Sequence, residues 1–290
     1  MPHHGGVPLS TIVVVLAIGA ATGFLGGLFG KGGSALATPV LAALGIPAII
    51  AVASPLPATI PGTLLAARQY ARQGHIDRRV LGWSVAVGLP ATLAGAWTTR
   101  WVGADSLVVA TDVLVAGLGV SILVGARRSS RPAVDLDLGS DDVGDGGGAP
   151  AGGERAGGAV AVLAPAPVAP SASTTGSVVA VALVVGLVAG LLANSGGFLL
   201  APLYLVVLKL PVRPALGTSL AVSAALAVPG TVAHGVMGHI DWSLVLVFGA
   251  ASVPLSALGA RTALRVDPQR LEVGFGAVLV VLATVLLTWG

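Results

Sequence analysis

The sequence predicts an all-α polytopic membrane protein. It reads as two inverted repeats of about five apolar helical segments each, with one short, broken, glycine-rich helix in each repeat. Three observations predict this. The 290 residues are 55% hydrophobic and only 9% charged, whereas an ordinary soluble domain carries about 25% charged residues. A water-soluble core of this size cannot hide so much apolar surface, and a bilayer replaces the missing polar exterior. The second half of the chain repeats the first. The basic residues also fall almost wholly on one side of the predicted crossings.

The apolar segments come in order. In the first half they cover roughly 10–29, 34–46, 48–70, 80–101 and 106–125, and in the second roughly 177–193, 197–210, 214–236, 242–262 and 270–289. Most approach the ~20 residues of a spanning helix. The stretch Thr11–Ala21 has the length of a signal-peptide core, but no Lys or Arg precedes it, so it reads as the first membrane helix. The organisation is therefore a first transmembrane repeat over 1–125, a linker over 126–176 and a second repeat over 177–290. The linker is rich in Gly, Ala, Pro, Ser and Asp, which cannot build a core, and reads as a flexible tether.

The repeat is legible residue by residue. A shift of 164 carries Gly74-His75-Ile76-Asp77 onto Gly238-His239-Ile240-Asp241, and Pro47, Pro90 and Gly95 onto Pro211, Pro254 and Gly259. A shift of 163 carries Gly23, Gly27 and Pro39 onto Gly186, Gly190 and Pro202. One single-residue slip reconciles the two.

Charge sets the expected topology. With five crossings per half, every one of the 15 Lys and Arg residues except Arg100 lies on one side. If the short second segments do not cross, the basic residues split almost evenly. The positive-inside rule prefers the first arrangement, with a cytoplasmic linker and both termini outside. An odd number of crossings per half makes the repeats inverted. The tryptophans, at 83, 97, 101, 242 and 289, stand near segment ends, where interfacial aromatics belong. The same distribution accounts for a sequence pI near 10.0 without nucleic acid as a partner. The absence of cysteine excludes disulfides and thiolate chemistry.

Chemistry-bearing residues cluster at the segment breaks. Gly30-Lys31-Gly32-Gly33-Ser34 and Asn194-Ser195-Gly196-Gly197 each precede a short helix. Clustered glycine breaks a membrane helix, and a helix start within a membrane cavity offers free N–H groups to an anion. Lys31 would add charge. Ser54, in the expected turn Ala53–Pro57, and Thr218 and Ser219, in the expected turn Gly217–Leu220, are hydroxyls able to cap a helix or touch a ligand. Asp77 and Asp241 read as helix caps. His234 and the intramembrane Asp112 are the candidates for proton coupling. No HExxH, GxSxG or Walker A motif is present, so no enzyme, no metal site and no cofactor is expected.

The stretch "GFLGGLFGKGGSALATPVLAALGIPAIIAVASPLPAT…GHID" and its second copy "GLVAGLLANSGGFLLAPLYLVVLKLPVRPALGTSLAV…GHID" resemble the TauE/SafE family of membrane transporters, the sulfite exporter type. The resemblance covers both halves and excludes the linker. Lys31 stands where the family pattern carries an apolar residue. The resemblance implies transport of small sulfur-containing anions such as sulfite or organosulfonates, often outward. The leading expectation is a secondary carrier in the cell membrane with the bilayer and that anion as partners, and with His234 or Asp112 serving coupling to a proton or other ion. The rival expectations are a non-transporting membrane scaffold and a passive anion channel.

Overall fold

The computed structural model describes residues 9–30, 37, 41, 44–98, 174–191 and 196–289. All regular structure among them is helical: α1 (Leu9–Phe29), α2 (Ala48–Ala53), α3 (Pro55–Arg72), α4 (Arg78–Thr98), α5 (Thr175–Leu191), α6 (Gly197–Val206), α7 (Val212–Val236), α8 (Trp242–Arg265) and α9 (Pro268–Trp289). Among the described residues, five stretches are long and apolar enough to cross a membrane: Thr11–Phe29, Ile49–Arg72, Arg78–Thr98, Val212–Val236 and Trp242–Arg265. Large apolar side chains such as Leu93, Val232, Val236 and Leu246 point outward, as a lipid-facing surface requires. The linker before residue 174 and segment 106–125 lie outside the described residues, as does most of segment 34–46.

Expected turns differ in one respect. Gly217–Leu220 is not a turn but part of α7. Pro211 starts that helix, and Pro214 falls in its first turn, where a missing N–H costs no intrahelical bond. Nothing after it breaks the helix before Thr218. Ser54 does mark a break, between α2 and α3, although its own backbone stays helical at φ −67 and ψ −33.

The packing is exchanged between the halves. Helix α1 lies along α8, and α5 lies along α4. In each pair a glycine stripe brings the backbones together. Gly19, Gly23 and Gly27 abut the carbonyls of Phe248, Ser252 and Ser256. Gly186 and Gly190 abut the carbonyls of Gly88 and Thr92. Glycines on the partner helices answer them, Gly259 against Phe24 and Gly95 against Leu187. A Cβ at any of these seven glycines would fall within 3.0 Å of a neighbouring carbonyl oxygen. Small residues are what allow such contact between membrane helices, where dispersion rather than the hydrophobic effect holds helices together. Under the repeat shifts, Gly23–Ser252 becomes Gly186–Gly88, Gly27–Ser256 becomes Gly190–Thr92, and Gly259–Phe24 becomes Gly95–Leu187. Residues equivalent in sequence thus make equivalent contacts.

The central pair is α3 and α7, themselves repeat counterparts. Leu56, early in α3, meets Gly230, late in α7, and Tyr70, late in α3, meets Gly217, early in α7. The two helices therefore run in opposite directions.

Candidate functional site

Two hydrogen bonds tie the repeats at opposite ends of α3. At one end the backbone N–H of Asp241 donates to Ser54 Oγ over 3.0 Å. At the other, the backbone N–H of Asp77 donates to Thr218 Oγ1, also over 3.0 Å. The shift of 164 interchanges Ser54 with Thr218 and Asp77 with Asp241, so this is one contact made twice. Each aspartate then caps the helix that follows. Asp77 Oδ1 accepts from the N–H groups of Arg79 and Val80, both at 3.0 Å. Asp241 Oδ1 accepts from Ser243 at 2.9 Å and Leu244 at 3.2 Å. The glycine of each motif, Gly74 or Gly238, has positive φ, which turns the chain from one helix into the next. The two ends differ in burial. Asp241 is exposed, whereas Asp77 is 6% exposed and its Oδ2 has no hydrogen-bond partner. Beside it His75 titrates below its ordinary value, held down by burial first and by the Arg213 charge second.

Ser219 makes a third link. Its hydroxyl lies 2.9 Å from the carbonyl of Gly30 and 2.8 Å from that of Leu216. Gly30 has φ +70 and ends α1 against α7, while Gly196 has φ +68 and caps the start of α6. Gly30 meets Leu216 and Ser219, whereas Gly196 meets Val185, Ala189 and Leu226. Along α7 these places are seven to ten residues apart, about 10–15 Å. The described parts of the two glycine clusters therefore contact α7 at different depths rather than each other. Gly197 opens α6 and is buried. Helix α6 is anchored by Tyr204, whose hydroxyl donates to Ser84 Oγ over 2.6 Å. Lys31, Gly32, Gly33, Ser34, Asn194, Ser195 and Asp112 lie outside the described residues.

His234 is buried, and its Nδ1 is 3.2 Å from Nδ1 of His239. The pair lines an open apolar groove with Ile49, Leu93 and Trp97. Among the described residues no His, Asp or Glu cluster could hold a metal.

Sequence reasoning missed one feature. A small cavity between α1, α3 and α8 is lined by Gly23, Gly62, Phe248 and four hydroxyl residues, Thr59, Thr63, Ser252 and Ser256. The signal was available. Each pair of hydroxyls is spaced four residues apart, which puts both members on one face of a helix.

The model of the sulfite exporter TauE/SafE family matches residues 15–286. The chain belongs to that family. It is also 24% identical over 256 residues to the probable membrane transporter protein YunE of Bacillus subtilis (strain 168), covering 83% of this chain and 85% of that one. No solved structure matches it. This member of the TauE/SafE family is thus a multi-pass protein of a membrane transporter family, with the resemblance extending across both halves and every described helix.

Proposed function

We propose that this TauE/SafE protein is a secondary carrier for a small anion, sulfite or an organosulfonate first. The observation that carries the reading is the match to the sulfite exporter family over residues 15–286. Two features of the fold support a carrier mechanism. The halves are joined by equivalent contacts, Ser54 to Asp241 and Thr218 to Asp77. The counterpart helices α3 and α7 run oppositely, as inverted repeats do. Rocking one repeat against the other about these contacts opens the anion site alternately to either side.

Anion-binding groups are Lys31 with the glycine-rich stretch Gly30 and Gly32 to Ser34 in one repeat, and Asn194 to Gly197 as the corresponding stretch in the other, each engaging the anion at its own depth. Their free N–H groups and the lysine charge complement an oxyanion. Ser54, Thr218 and Ser219 serve the frame around that site, since their hydroxyl oxygens engage backbone groups of the opposite repeat. His234 and Asp112 are the side chains available for proton coupling. The linker lies in the cytoplasm, and both termini lie outside the cell membrane.

Flux of sulfite, taurine, sulfoacetate and sulfate into proteoliposomes tests this, with wild type compared against Lys31→Ala. Saturable flux of sulfite or a sulfonate, weakened by the substitution, is expected. Flux that survives Lys31→Ala unchanged removes Lys31 as the ligand. Flux that does not saturate indicates a channel, and no flux from folded protein indicates a scaffold.

A further inference from the structure

We infer that the hydroxyl-lined cavity between α1, α3 and α8 is a binding site for a monovalent cation of sodium's size. The central space is about 10 Å³. That is the scale of one water or one bare ion, and a sulfite-sized oxyanion does not fit. The lining carries no charged side chain, but it is rich in oxygen.

The direction of the hydroxyl protons favours a cation over an anion. Thr63 Oγ1 donates to the carbonyl of Thr59 over 2.7 Å. Thr59 Oγ1 donates to the carbonyl of Pro55 over 3.1 Å. Both protons are turned back into α3, a common habit of Ser and Thr in membrane helices. The two threonine oxygens therefore offer lone pairs to the cavity. Ser252 is 6% exposed, and its Oγ has no hydrogen-bond partner. A buried hydroxyl left unpaired costs about 1–3 kcal/mol, which a bound occupant offsets. With Ser256 Oγ, four oxygens from two helices converge on one small space. An anion would need donors, and only the two serines can turn theirs inward.

Comparison with the other repeat shows that the cavity does not follow from the repeat framework. At the equivalent place Leu226 stands for Gly62, Ala227 for Thr63 and Gly88 for Ser252. Leu226 packs there so closely that its Cδ2 would lie 2.9 Å from a Cβ on Gly88. Gly62, by contrast, leaves 3.5 Å between an added Cβ and Ser256 Oγ. Hydroxyls remain at that place, Ser223 for Thr59, Thr92 for Ser256 and Ser84 where the cavity has Phe248, so what closes it is the bulk of Leu226 where the first repeat has Gly62. Helices α1 and α3 belong to the first half and α8 to the second, so an ion bound here joins the halves and adds to their cohesion.

The test is sodium binding to the purified full-length protein. Thermal unfolding is followed in sodium, potassium and choline chloride at equal ionic strength, alongside direct binding of radiolabelled sodium. Sodium is expected to raise the melting temperature saturably. Ser252→Ala and Thr63→Val each weaken the apparent sodium affinity about tenfold or more, and in choline Ser252→Ala, which removes the unpaired hydroxyl, melts no lower than wild type. Gly62→Leu, which copies the second repeat, abolishes the sodium effect. The serine and threonine variants carry the test should Gly62→Leu fail to fold. Folded wild type that binds no sodium and melts alike in sodium and choline overturns the proposal and leaves a cavity holding only water. A sodium effect undiminished in both Ser252→Ala and Thr63→Val overturns it as well. Both readouts are independent of anion flux, so this inference and the carrier reading fail separately.

Discussion

The two repeat-exchanged hydrogen bonds are chemically alike, but their surroundings predict unequal energies. Thr218→Val keeps the side-chain shape and removes the oxygen that accepts from Asp77. Thr218 is 0% exposed and Asp77 6% exposed, so no water can replace the lost acceptor. The N–H stays buried and unpaired, at a cost of about 1–3 kcal/mol. Ser54→Ala removes the equivalent acceptor from Asp241. Ser54 is itself 0% exposed, but this bond is only part-buried where the Thr218 bond is buried, so water reaches the N–H more readily and the cost falls to about 0.5–1.5 kcal/mol. Reversible unfolding in mixed detergent–SDS micelles reads both. Thr218→Val should raise the unfolding constant roughly 5- to 150-fold, and Ser54→Ala less. The sites lie at opposite ends of α3, so the double variant should show the sum of the single effects. A Thr218→Val protein as stable as wild type, or a Ser54→Ala protein less stable than Thr218→Val, would refute the argument that burial sets the value of these contacts.

Two further predictions test the packing and the electrostatics. Gly27→Ala and Gly190→Ala press a methyl into backbone on α8 and α4, and each should lose about 1–3 kcal/mol by overpacking. Gly82→Ala, with nothing within 4 Å of its added Cβ, should be neutral or stabilising by up to ~1 kcal/mol through helix propensity; melting temperatures of the three variants in detergent check this. His75 supplies a pH dependence. Its folded pKa lies below the unfolded value of about 6.5, so its contribution is fully present above 6.5 and is lost as pH falls through that window, where the unfolded chain takes up the proton first. His75→Gln should flatten the stability profile below neutral pH, and a profile unchanged by that substitution would exclude His75 as its source.

Much of the fold was legible because membrane constraints are written in composition. The apolar runs mark the spans, and the glycine and proline matches at shifts of 163 and 164 point to the contacts as well as the repeat. Gly23 and Gly186 each stand four residues from another glycine, Gly27 and Gly190, and each abuts a carbonyl, of Ser252 and Gly88 respectively, which are repeat counterparts. The capping roles of Asp77 and Asp241 were also legible, because an Asp ahead of a helix start has few other uses there. The Gly217–Leu220 turn was misread because small and hydroxyl residues favour turns in water, whereas Pro211 and Pro214 already commit the chain to helix. The hydroxyl cavity was missed for a different reason. The pair Thr59 and Thr63 lies almost two hundred residues from the pair Ser252 and Ser256, and although each pair's spacing is legible, only the packing of α8 against α3 brings the two together.

A carrier works between two unlike compartments, and a perfectly symmetric pair of repeats would treat them alike. Symmetry in this chain resides in the framework: the glycine stripes, the capping aspartates and the exchanged hydroxyl bonds. Three of the departures from it are chemically pointed. Asp77 is buried with an unpaired oxygen where Asp241 is exposed. His234, close to His239, stands where the first repeat has Tyr70. Gly62 and Thr63 open a hollow where Leu226 and Ala227 close one. Each departure changes the burial or chemistry of a polar group, or opens a space, on one side of the pseudo-symmetric core and not on the other. On the carrier reading proposed above, the framework is what would let the two halves exchange places with little change in contact energy. On the same reading, the departures would give the two arrangements different affinities for ions and protons, which is what an ion gradient needs in order to bias one over the other.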